Sequence, residues 1–232
     1  MDYNWHFGII WDYKIALFKA AVITLALTAV VCIVGITLGL LLALLQKVKQ
    51  KILAKFIGFY ITVVRAIPPL VLLLWVYYGL PLLTGIRLSS FSSAFFALSI
   101  GSSPFFAEII RSGIEAVPKG QYESASALGF SRLHAIFRII LPQAVKQMIP
   151  PLMNECITVL KLTSLASIIA VTEIVNAANT IISNTYRPLE IYTAVALLYI
   201  SIVIPFTYLS KHFEKKLSQR KKASQNYNDS PS

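Results

Sequence analysis

Ionisable side chains inside long apolar stretches are the first candidates for chemistry in this sequence. They are Arg65, Glu108, Glu155, Lys161 and Glu173. A charge in the interior of a membrane is costly unless it pairs with an opposite charge or faces water. Such groups therefore indicate an internal ion pair or the wall of a path for a polar solute. Glu108 and Glu173 lie near the ends of their stretches, where helix termination also explains them.

Lys161 is the most informative of these charges, because it lies about ten residues, or ~15 Å, into its apolar stretch. Asn154, Thr158 and Ser164 share a loose helical sector with it. This arrangement indicates a polar wall that contacts a zwitterionic solute. The alternative is an ion pair of Lys161 or Arg65 with a glutamate on a neighbouring helix, and for Arg65 this alternative is the favoured one.

A polar segment between two apolar stretches is the second candidate for function. Residues 121–128 predict a short helix rich in Ser and Ala, which Gly129 ends. Ser131 is a candidate N-cap for a second helix, and Pro142 is expected to interrupt that helix. A helix with so little bulk allows the groove of another protein to approach closely. A helix that rests on the membrane surface is equally compatible with the pattern.

Common catalytic and metal-binding motifs are absent from the sequence. No Gly-x-x-x-x-Gly-Lys-Ser/Thr phosphate loop, His-Glu-x-x-His or Gly-x-Ser-x-Gly occurs. Cys32 and Cys156 lie in apolar stretches, and the three histidines have no metal-like spacing. We therefore expect a protein that is not an enzyme and that has no ATPase site of its own.

The amino-acid composition indicates that the chain lies in a membrane. The chain is 56% hydrophobic and 13% charged, whereas soluble domains carry about a quarter charged residues. Its net charge of +11 lies in clusters between apolar runs, which indicates a membrane protein and not a nucleic-acid binder. A spanning helix needs about 20 apolar residues. Five stretches qualify and predict an all-α, polytopic membrane protein: Ile15–Leu45, Phe56–Leu83, Leu88–Ser112, Pro151–Val175 and Leu189–Leu209.

Lysine and arginine predict the orientation of the chain. They concentrate in the loop after the first span, in the segment after the third span and in the C-terminal tail. Five crossings place these three segments on the same side of the membrane. The other side carries Lys14, Lys19, Arg87 and Arg187. Because cytoplasmic loops are rich in Lys and Arg, we expect the N-terminus outside and the C-terminus in the cytoplasm.

The domain organisation that follows is simple. Residues 1–216 are predicted to form a single transmembrane domain, and the polar, basic residues 217–232 a disordered cytoplasmic tail. Gly35 and Gly39 have a spacing that permits close contact between helices, although such spacings are common by chance.

Prolines are predicted to interrupt three of the spans, because proline removes an intrahelical hydrogen bond. They are Pro68-Pro69, Pro104 and Pro205. Solute sites in transporters often form beside such breaks. The proline pair Pro68-Pro69, next to Arg65, therefore suggests a solute-binding site. Kinks that serve packing alone are equally common.

The polar segment also resembles a specific sequence signature. ABC importer permeases carry an EAA motif, which reads Glu-Ala-Ala, three residues, Gly, nine residues and Ile-x-Leu-Pro. Here Glu123-Ser124-Ala125, Gly129 and Ile139-x-Leu141-Pro142 match it, with Ser124 as a small-for-small departure.

Further motifs resemble the permeases for polar amino acids. These are Ala107–Gly113 with Pro118–Gln121, Arg65–Pro68 with Tyr78–Pro81, Asn154-Glu155 with Lys161–Leu165, and Tyr186–Pro188 with Glu190–Tyr192. They occur in order from about residue 20 to residue 212. One departure is Leu162, which stands where relatives often have Asp, so a polar role at that position is in doubt.

The resemblance implies a type I ABC importer permease in the bacterial cytoplasmic (inner) membrane. Residues of about 117–145 would form a coupling segment that sits in a cleft of the ATPase subunit. The implied coupling residues are Gln121, Glu123, Ser124, Ala125, Leu128, Gly129, Leu141 and Pro142.

The resemblance also implies partners and a solute. Two ATPase subunits, a second permease that is identical or paralogous, an extracytoplasmic solute-binding protein and membrane lipid would surround the chain. It would bind no cofactor itself, because ATP and Mg²⁺ would be held by the ATPase. A stand-alone carrier or channel is the alternative, but the internal repeats that would favour a carrier are not seen. The candidate substrate path comprises Arg65, Asn154, Glu155, Thr158, Lys161, Thr163 and Ser164.

Overall fold

The computed structural model describes residues 3–48 and 50–228, with side chains as far as Leu217. Within these ranges the chain is helical and contains no strand. The helices, in chain order, are α1 Gly8–Asp12, α2 Lys14–Leu45, α3 Lys51–Ala66, α4 Pro69–Thr84, α5 Ser90–Glu115, α6 Lys119–Ala127, α7 Arg132–Ile169, α8 Ile174–Thr185 and α9 Pro188–Asn228. The all-α prediction is confirmed.

Five membrane crossings are confirmed if one bent pair counts as a single span. Among the described residues, α2, α5, α7 and the Pro188–Leu217 part of α9 are each long and apolar enough to cross a bilayer. The remaining span consists of α3 and α4, which pass the same test together and meet at an angle of 101°. The predicted boundaries of the first and third spans agree with these helices within a few residues, whereas α9 starts as predicted for the fifth span and continues beyond its predicted end at Leu209.

The bend between α3 and α4 confirms the predicted break at Pro68-Pro69. Ile67 has φ −81° and ψ 126°, and Pro68 has φ −57° and ψ 135°, so both residues are extended. Proline disfavours the helical conformation in the residue before it, which explains why α3 ends at Ala66.

The predicted breaks at Pro104 and Pro205 are wrong, because α5 and α9 continue through these prolines. A proline in a helix removes one backbone hydrogen bond, and packing within a membrane protein can compensate for this loss. Pro104 is buried in the most enclosed of the spans.

The sequence predicts that Pro142 interrupts its helix, but the helix continues through this residue. A π-helical turn over Ile136–Ile140 comes immediately before Leu141, and the helix then continues to Leu162. The wider turn accommodates the proline ring, which would collide with the preceding turn of a regular α-helix. A 3₁₀ turn at Thr163–Ile169 completes α7. Helix α7 thus begins well before the predicted fourth span, Pro151–Val175, and ends earlier, at Ile169. Its 38 residues extend ~57 Å, more than the ~40–45 Å of a bilayer with its headgroups, so the first turns of α7 can lie outside the membrane.

Helix α5 forms the centre of the bundle and lies directly against α2. A Cβ atom built on Gly39 would lie 2.6 Å from Phe106 Cβ and 2.8 Å from the backbone nitrogen of Ala107. One built on Gly35 would lie 2.8 Å from the Phe106 ring. The spacing of these two glycines therefore does permit close contact, since no larger side chain fits between the helices.

The last helix continues past the membrane. The sequence predicts a disordered tail from residue 217, whereas the backbone of α9 is helical to Asn228. Lysine, arginine, glutamine and alanine, which dominate this part, are good helix formers, and a helix already formed in the membrane extends at little cost. Residues 229–232 of the predicted tail lie outside the described residues.

Candidate functional site: a coupling segment and a pocket with two charges

The helix of the predicted coupling segment, α6, has a well-defined end. Its C-terminus has the two hydrogen bonds of a Schellman motif: Phe130 N donates to Ala125 O at 3.0 Å, and Gly129 N donates to Ser126 O at 3.0 Å. Gly129 has φ +78°, a backbone conformation that glycine adopts without strain. The glycine predicted to end this helix is therefore required by the backbone.

One side of α6 is buried and the other is exposed. Ala125 is 1% exposed, so its methyl group lies against the rest of the protein. Glu123, Ser124 and Leu128 are exposed. Gln121 is also exposed, and its Oε1 accepts a hydrogen bond of 3.1 Å from Gln143 Nε2 on α7.

Large apolar side chains on and beside this helix are partly or mostly exposed in the described part of the chain. Leu128 is 75% exposed, which leaves most of an apolar side chain without protein neighbours. Leu141, and with it Pro142, is also exposed on the following helix. The other members of this coupling patch are Tyr122, Phe130, Leu133, Ile136 and Phe137. Exposed apolar patches of this kind indicate an interaction surface.

The coupling segment is tied to the spans beneath it. Ser131 accepts a hydrogen bond from His134 N at 3.4 Å, which confirms it as the N-cap of α7. Val117 and Ile140, at the two ends of the segment, belong to a buried cluster with residues of α2, α3 and α5. A force applied to the coupling patch is therefore transmitted to several spans through close-packed side chains.

A pocket of about 250 Å³, with a mostly apolar wall, lies at the bend between α3 and α4. Arg65 and Glu155 bring opposite charges to its wall, and Thr158 and Ser102 bring hydroxyl groups. Apolar side chains such as Phe105 form the remainder. The pocket has room for a small molecule and offers a donor, an acceptor and charges of both signs.

Arg65 forms no ion pair among the described side chains. Its guanidinium lies 5.1 Å from the centre of the Phe105 ring, within the range of a cation–π contact. Glu155, on α7, is only partly buried and likewise forms no ion pair in the described part of the chain. Both charges thus line the pocket without an ion-pair partner, which leaves them available to a charged ligand.

Unlike Arg65, Arg111 near the end of α5 does form ion pairs. Arg111 donates to Glu108 from Nε at 3.2 Å and from Nη2 at 2.5 Å, and to Glu115 from Nη1 at 2.7 Å. Glu108 is therefore paired within its own helix. The position of Glu108 near the end of its apolar stretch indicates helix termination and does not by itself predict this pair, although the i, i+3 and i, i+4 spacings are visible in the sequence.

The other predicted path residues lie outside this pocket. Thr163 is buried and donates to Leu160 O, and Ser164 donates to the backbone oxygen of Lys161. Asn154 Oδ1 accepts a 2.9 Å hydrogen bond from Ser210 on α9. The side chain of Lys161 is exposed and makes no ion pair within the described residues.

The structure therefore brings together three of the predicted residues, Arg65, Glu155 and Thr158, and adds two. Ser102 belongs to a run of serines in α5, a polar signal that the sequence does show. Phe105 gives no such signal, because a phenylalanine in a span is ordinarily a lipid or core residue.

Comparison with known proteins agrees with this architecture. Residues 35–219 match the family described as binding-protein-dependent transport system inner membrane component. The chain therefore belongs to this family of ABC importer permeases. Among curated proteins, the probable glutamine ABC transporter permease protein GlnM of Bacillus subtilis (strain 168) is 38% identical over 160 residues, which are 69% of this chain and 74% of that protein. The glutamine transport system permease protein GlnP of Escherichia coli (strain K12) is 35% identical over 159 residues, 68% of this chain and 73% of that protein.

Solved structures show the same fold. A crystal structure of an amino acid ABC transporter with histidines aligns with a TM-score of 0.86 and 34% identity, covering 92% of this chain and 100% of that chain. An inward-facing methionine ABC transporter aligns with a TM-score of 0.74 at 18% identity, covering 89% and 98%. The predicted type I importer permease fold is thus confirmed.

Proposed function

We propose that this chain is the permease subunit of an ATP-driven importer for polar amino acids. The observation that carries the proposal is the combination of a coupling patch outside the spans with a two-charge pocket among them. The names of the relatives, which are glutamine and arginine permeases among others, support the choice of amino acids as the solute class. Two ATPase subunits, a second permease, identical or paralogous, and a solute-binding protein complete the assembly.

The coupling patch provides the mechanical connection. An ATPase subunit receives α6 in a cleft, and its movement on ATP binding displaces the segment together with the spans packed on it. ATP and Mg²⁺ belong to the ATPase, so the permease binds no cofactor of its own. Leu128 and Phe137, which water now faces, become buried in that interface and favour association.

The pocket provides the contacts for the solute. A free amino acid at neutral pH carries a carboxylate and an ammonium group. Arg65 binds the carboxylate with geometry suited to two hydrogen bonds, and Glu155 binds the ammonium group. The hydroxyl groups of Thr158 and Ser102 donate to backbone oxygens of their own helices, so their oxygen atoms can accept from the ammonium group. The other candidate path residues, among them Lys161, Asn154 and Ser164, contact the solute before it enters the pocket or after it leaves.

The orientation follows the lysine and arginine distribution. The N-terminus and α8 face the outside, and the coupling segment and the end of α9 face the cytoplasm. This places the coupling patch where ATP is available, in the bacterial cytoplasmic membrane.

Replacement of Gly129 tests the coupling role. Gly129→Asp places a charge at the end of α6, in a conformation with φ +78° where open space surrounds the new side chain. We expect the variant to reach the membrane at normal levels and to bind solute, but to lose ATP-dependent uptake in proteoliposomes. The measurement compares uptake and ATP hydrolysis in the assembled transporter.

Gly85→Asp is the matched control. Gly85 has φ +74° and open space as well, but it follows α4 in a loop remote from the coupling patch. If the Gly85 variant loses as much uptake as the Gly129 variant, or more, the loss of uptake is due to backbone strain and not to coupling. Full ATP-dependent uptake by the Gly129 variant would refute the coupling role.

A further inference from the structure

The N-terminal segment, residues 3–14, has features that transport does not explain. It consists of residues 3–7, which are outside any helix, the short helix α1 and the turn into α2. It precedes residue 35, where the family match begins. The segment is folded back onto the beginning of α9, nearly the whole length of the chain away. We call it the anchor segment.

A buried carboxylate fixes the anchor segment. Glu190, in the first turn of α9, is fully buried and accepts hydrogen bonds from the hydroxyl of Tyr3, from His6 N at 3.0 Å and from Arg187 Nη1 at 3.1 Å. Arg187 Nη1 also donates to the backbone oxygen of Asn4 at 2.5 Å. The hydrogen bond to Glu190 raises the pKa of Tyr3, because loss of its proton would place two negative charges together.

The opposite side of the segment is aromatic and exposed. Trp5 is 53% exposed, Phe7 48% and Trp11 72%. The rings of Trp5 and Phe7 stack with centroids 5.3 Å apart, and Tyr3 meets Trp5 edge-on at 5.0 Å. Lys14 Nζ lies 3.6 Å from the centre of the Trp11 ring. Ile9, which faces inward, is 8% exposed and belongs to a cluster with α2, α8 and α9.

The exposed aromatic surface continues down one face of α2. Ile15, Phe18, Val22 and Leu25 are all exposed and follow Trp11 at helical spacings of three and four residues. An apolar stripe with this spacing on a membrane span is suited to lipid. The anchor segment lies at the end of this stripe.

The length of α2 agrees with this position. Its 32 residues extend ~48 Å. A bilayer is ~40–45 Å thick when its headgroup layers are included. A helix of this length can reach from one headgroup layer to the other. Such a placement would bring Lys14, its first residue, and Trp11 of α1 to headgroup level. Tryptophan and tyrosine are enriched at this depth because one part of each ring system is apolar and another forms hydrogen bonds.

We propose that the anchor segment binds the headgroup layer of the leaflet on its own side of the membrane, and that Glu190 holds it there. Trp5, Phe7 and Trp11 insert between the headgroups, and Lys14 contacts lipid phosphates. The beginning of the first span and the beginning of the last are thereby fixed to each other and to the membrane surface.

Tryptophan fluorescence tests this proposal directly. The chain has three tryptophans. Trp11→Phe with Trp75→Phe leaves Trp5 alone, and Trp5→Phe with Trp75→Phe leaves Trp11 alone. Each full-length variant is reconstituted in phosphatidylcholine vesicles with bromine near the carbonyl end or deep in the acyl chains. We expect blue-shifted emission, stronger quenching by the shallow bromines than by the deep ones, and weak quenching by iodide in the water.

Two results would overturn the proposal. One is strong iodide quenching with no effect of either brominated lipid, which would place the tryptophans in water. The other is a blue shift that appears only when a solute-binding protein is added, which would make this surface a protein docking site.

Glu190→Gln tests the role of the carboxylate. We expect iodide quenching of Trp5 to increase about twofold, because the segment loses its charged acceptor. Tyr3→Phe removes one hydrogen bond and should give a smaller increase, which keeps the test valid if the Gln variant folds poorly. Tyr192→Phe is the control, since this tyrosine is on the same helix but donates to Asn179. Unchanged quenching in the Glu190 and Tyr3 variants would show that Glu190 does not hold the segment.

Discussion

Arg65 and Glu155 are the two charged residues that line the pocket at the bend between α3 and α4. The two side chains carry opposite charges, line one cavity and form no ion pair in the described structure. An unpaired charge within a membrane is expensive, so we expect a ligand that carries both charges to stabilise the pair. A ligand with one charge would leave the other side chain without a partner. On the proposed function, zwitterions are therefore the solutes that we expect this pocket to favour.

Substitution of these two charges tests that preference. Glu155→Gln keeps the size of the side chain but removes its charge, and Arg65→Gln does the same for the opposite charge. We expect each to weaken amino acid binding by about tenfold or more, since a hydrogen bond to a charged group contributes roughly 1.5–3 kcal/mol. The measurement is equilibrium binding to the purified transporter. Lys161→Gln is the control, because Lys161 does not line the pocket, and a comparable loss there would contradict the assignment.

The sequence could identify the charges in this site but not their neighbours. Arg65 and Glu155 are visible as ionisable residues in apolar runs. Helical periodicity grouped Thr158 with Asn154 and Lys161, but Asn154 turns towards Ser210 instead. Which of several polar residues on a helix faces a cavity depends on the helices around it, and a single sequence does not contain that information.

At the scale of the helices, the coupling segment shows close agreement between sequence and structure. Gly129 and Ser131 act locally, through a left-handed backbone and an N-cap. Such features depend on a few neighbouring residues, so they can be predicted. The π-helical turn before Pro142 could not be, because proline in a helix can produce a break, a kink or a wider turn, and tertiary packing selects between them.

Leu128 tests the coupling patch as a docking surface. Leu128→Ser removes apolar contact area from a side chain that is 75% exposed. We expect less ATPase to copurify with the permease, with no change in the stability of the isolated chain. Leu82→Ser is a matched control, because Leu82 is 86% exposed but lies on α4. Equal ATPase recovery with the Leu128 variant would contradict the docking role.

The contact between α2 and α5 offers a second test among the helices. Gly39→Ala places a methyl group 2.6 Å from Phe106 Cβ and 2.8 Å from a backbone atom, so the helices must separate. We expect a loss of about 1–3 kcal/mol in stability, as for other overpacked positions. Gly58→Ala on α3 meets nothing within 4 Å and should be neutral or slightly stabilising. Thermal unfolding in detergent compares the two variants, and an unchanged midpoint for the Gly39 variant would show that α2 and α5 separate at little cost.

At the scale of the whole molecule, the orientation decides which face meets ATP and which meets the solute-binding protein. The distribution of lysine and arginine predicts it. The coupling patch and α8 lie on opposite sides of the bundle in this arrangement, so they should differ in their access to reagents outside the cell.

Labelling of single cysteines tests this orientation. Cys32 and Cys156 are first replaced by serine or alanine, after which Ser126→Cys reports on the coupling segment and Asn184→Cys on the end of α8. Both positions are exposed. A maleimide that does not cross membranes should label the Asn184 variant in intact cells, and the Ser126 variant only after permeabilisation. The reverse pattern would invert the orientation.

The 101° bend at Pro68 divides one span into two short helices. Helix α3 has 16 residues and extends ~24 Å, which is less than the ~30 Å of hydrocarbon that a straight span must cross. Helix α4 supplies the rest at a steep angle, and side chains of α5 and α7 line the pocket at the bend. We therefore expect a displacement of α5 or α7 to change the width of the pocket, which would admit or exclude a solute.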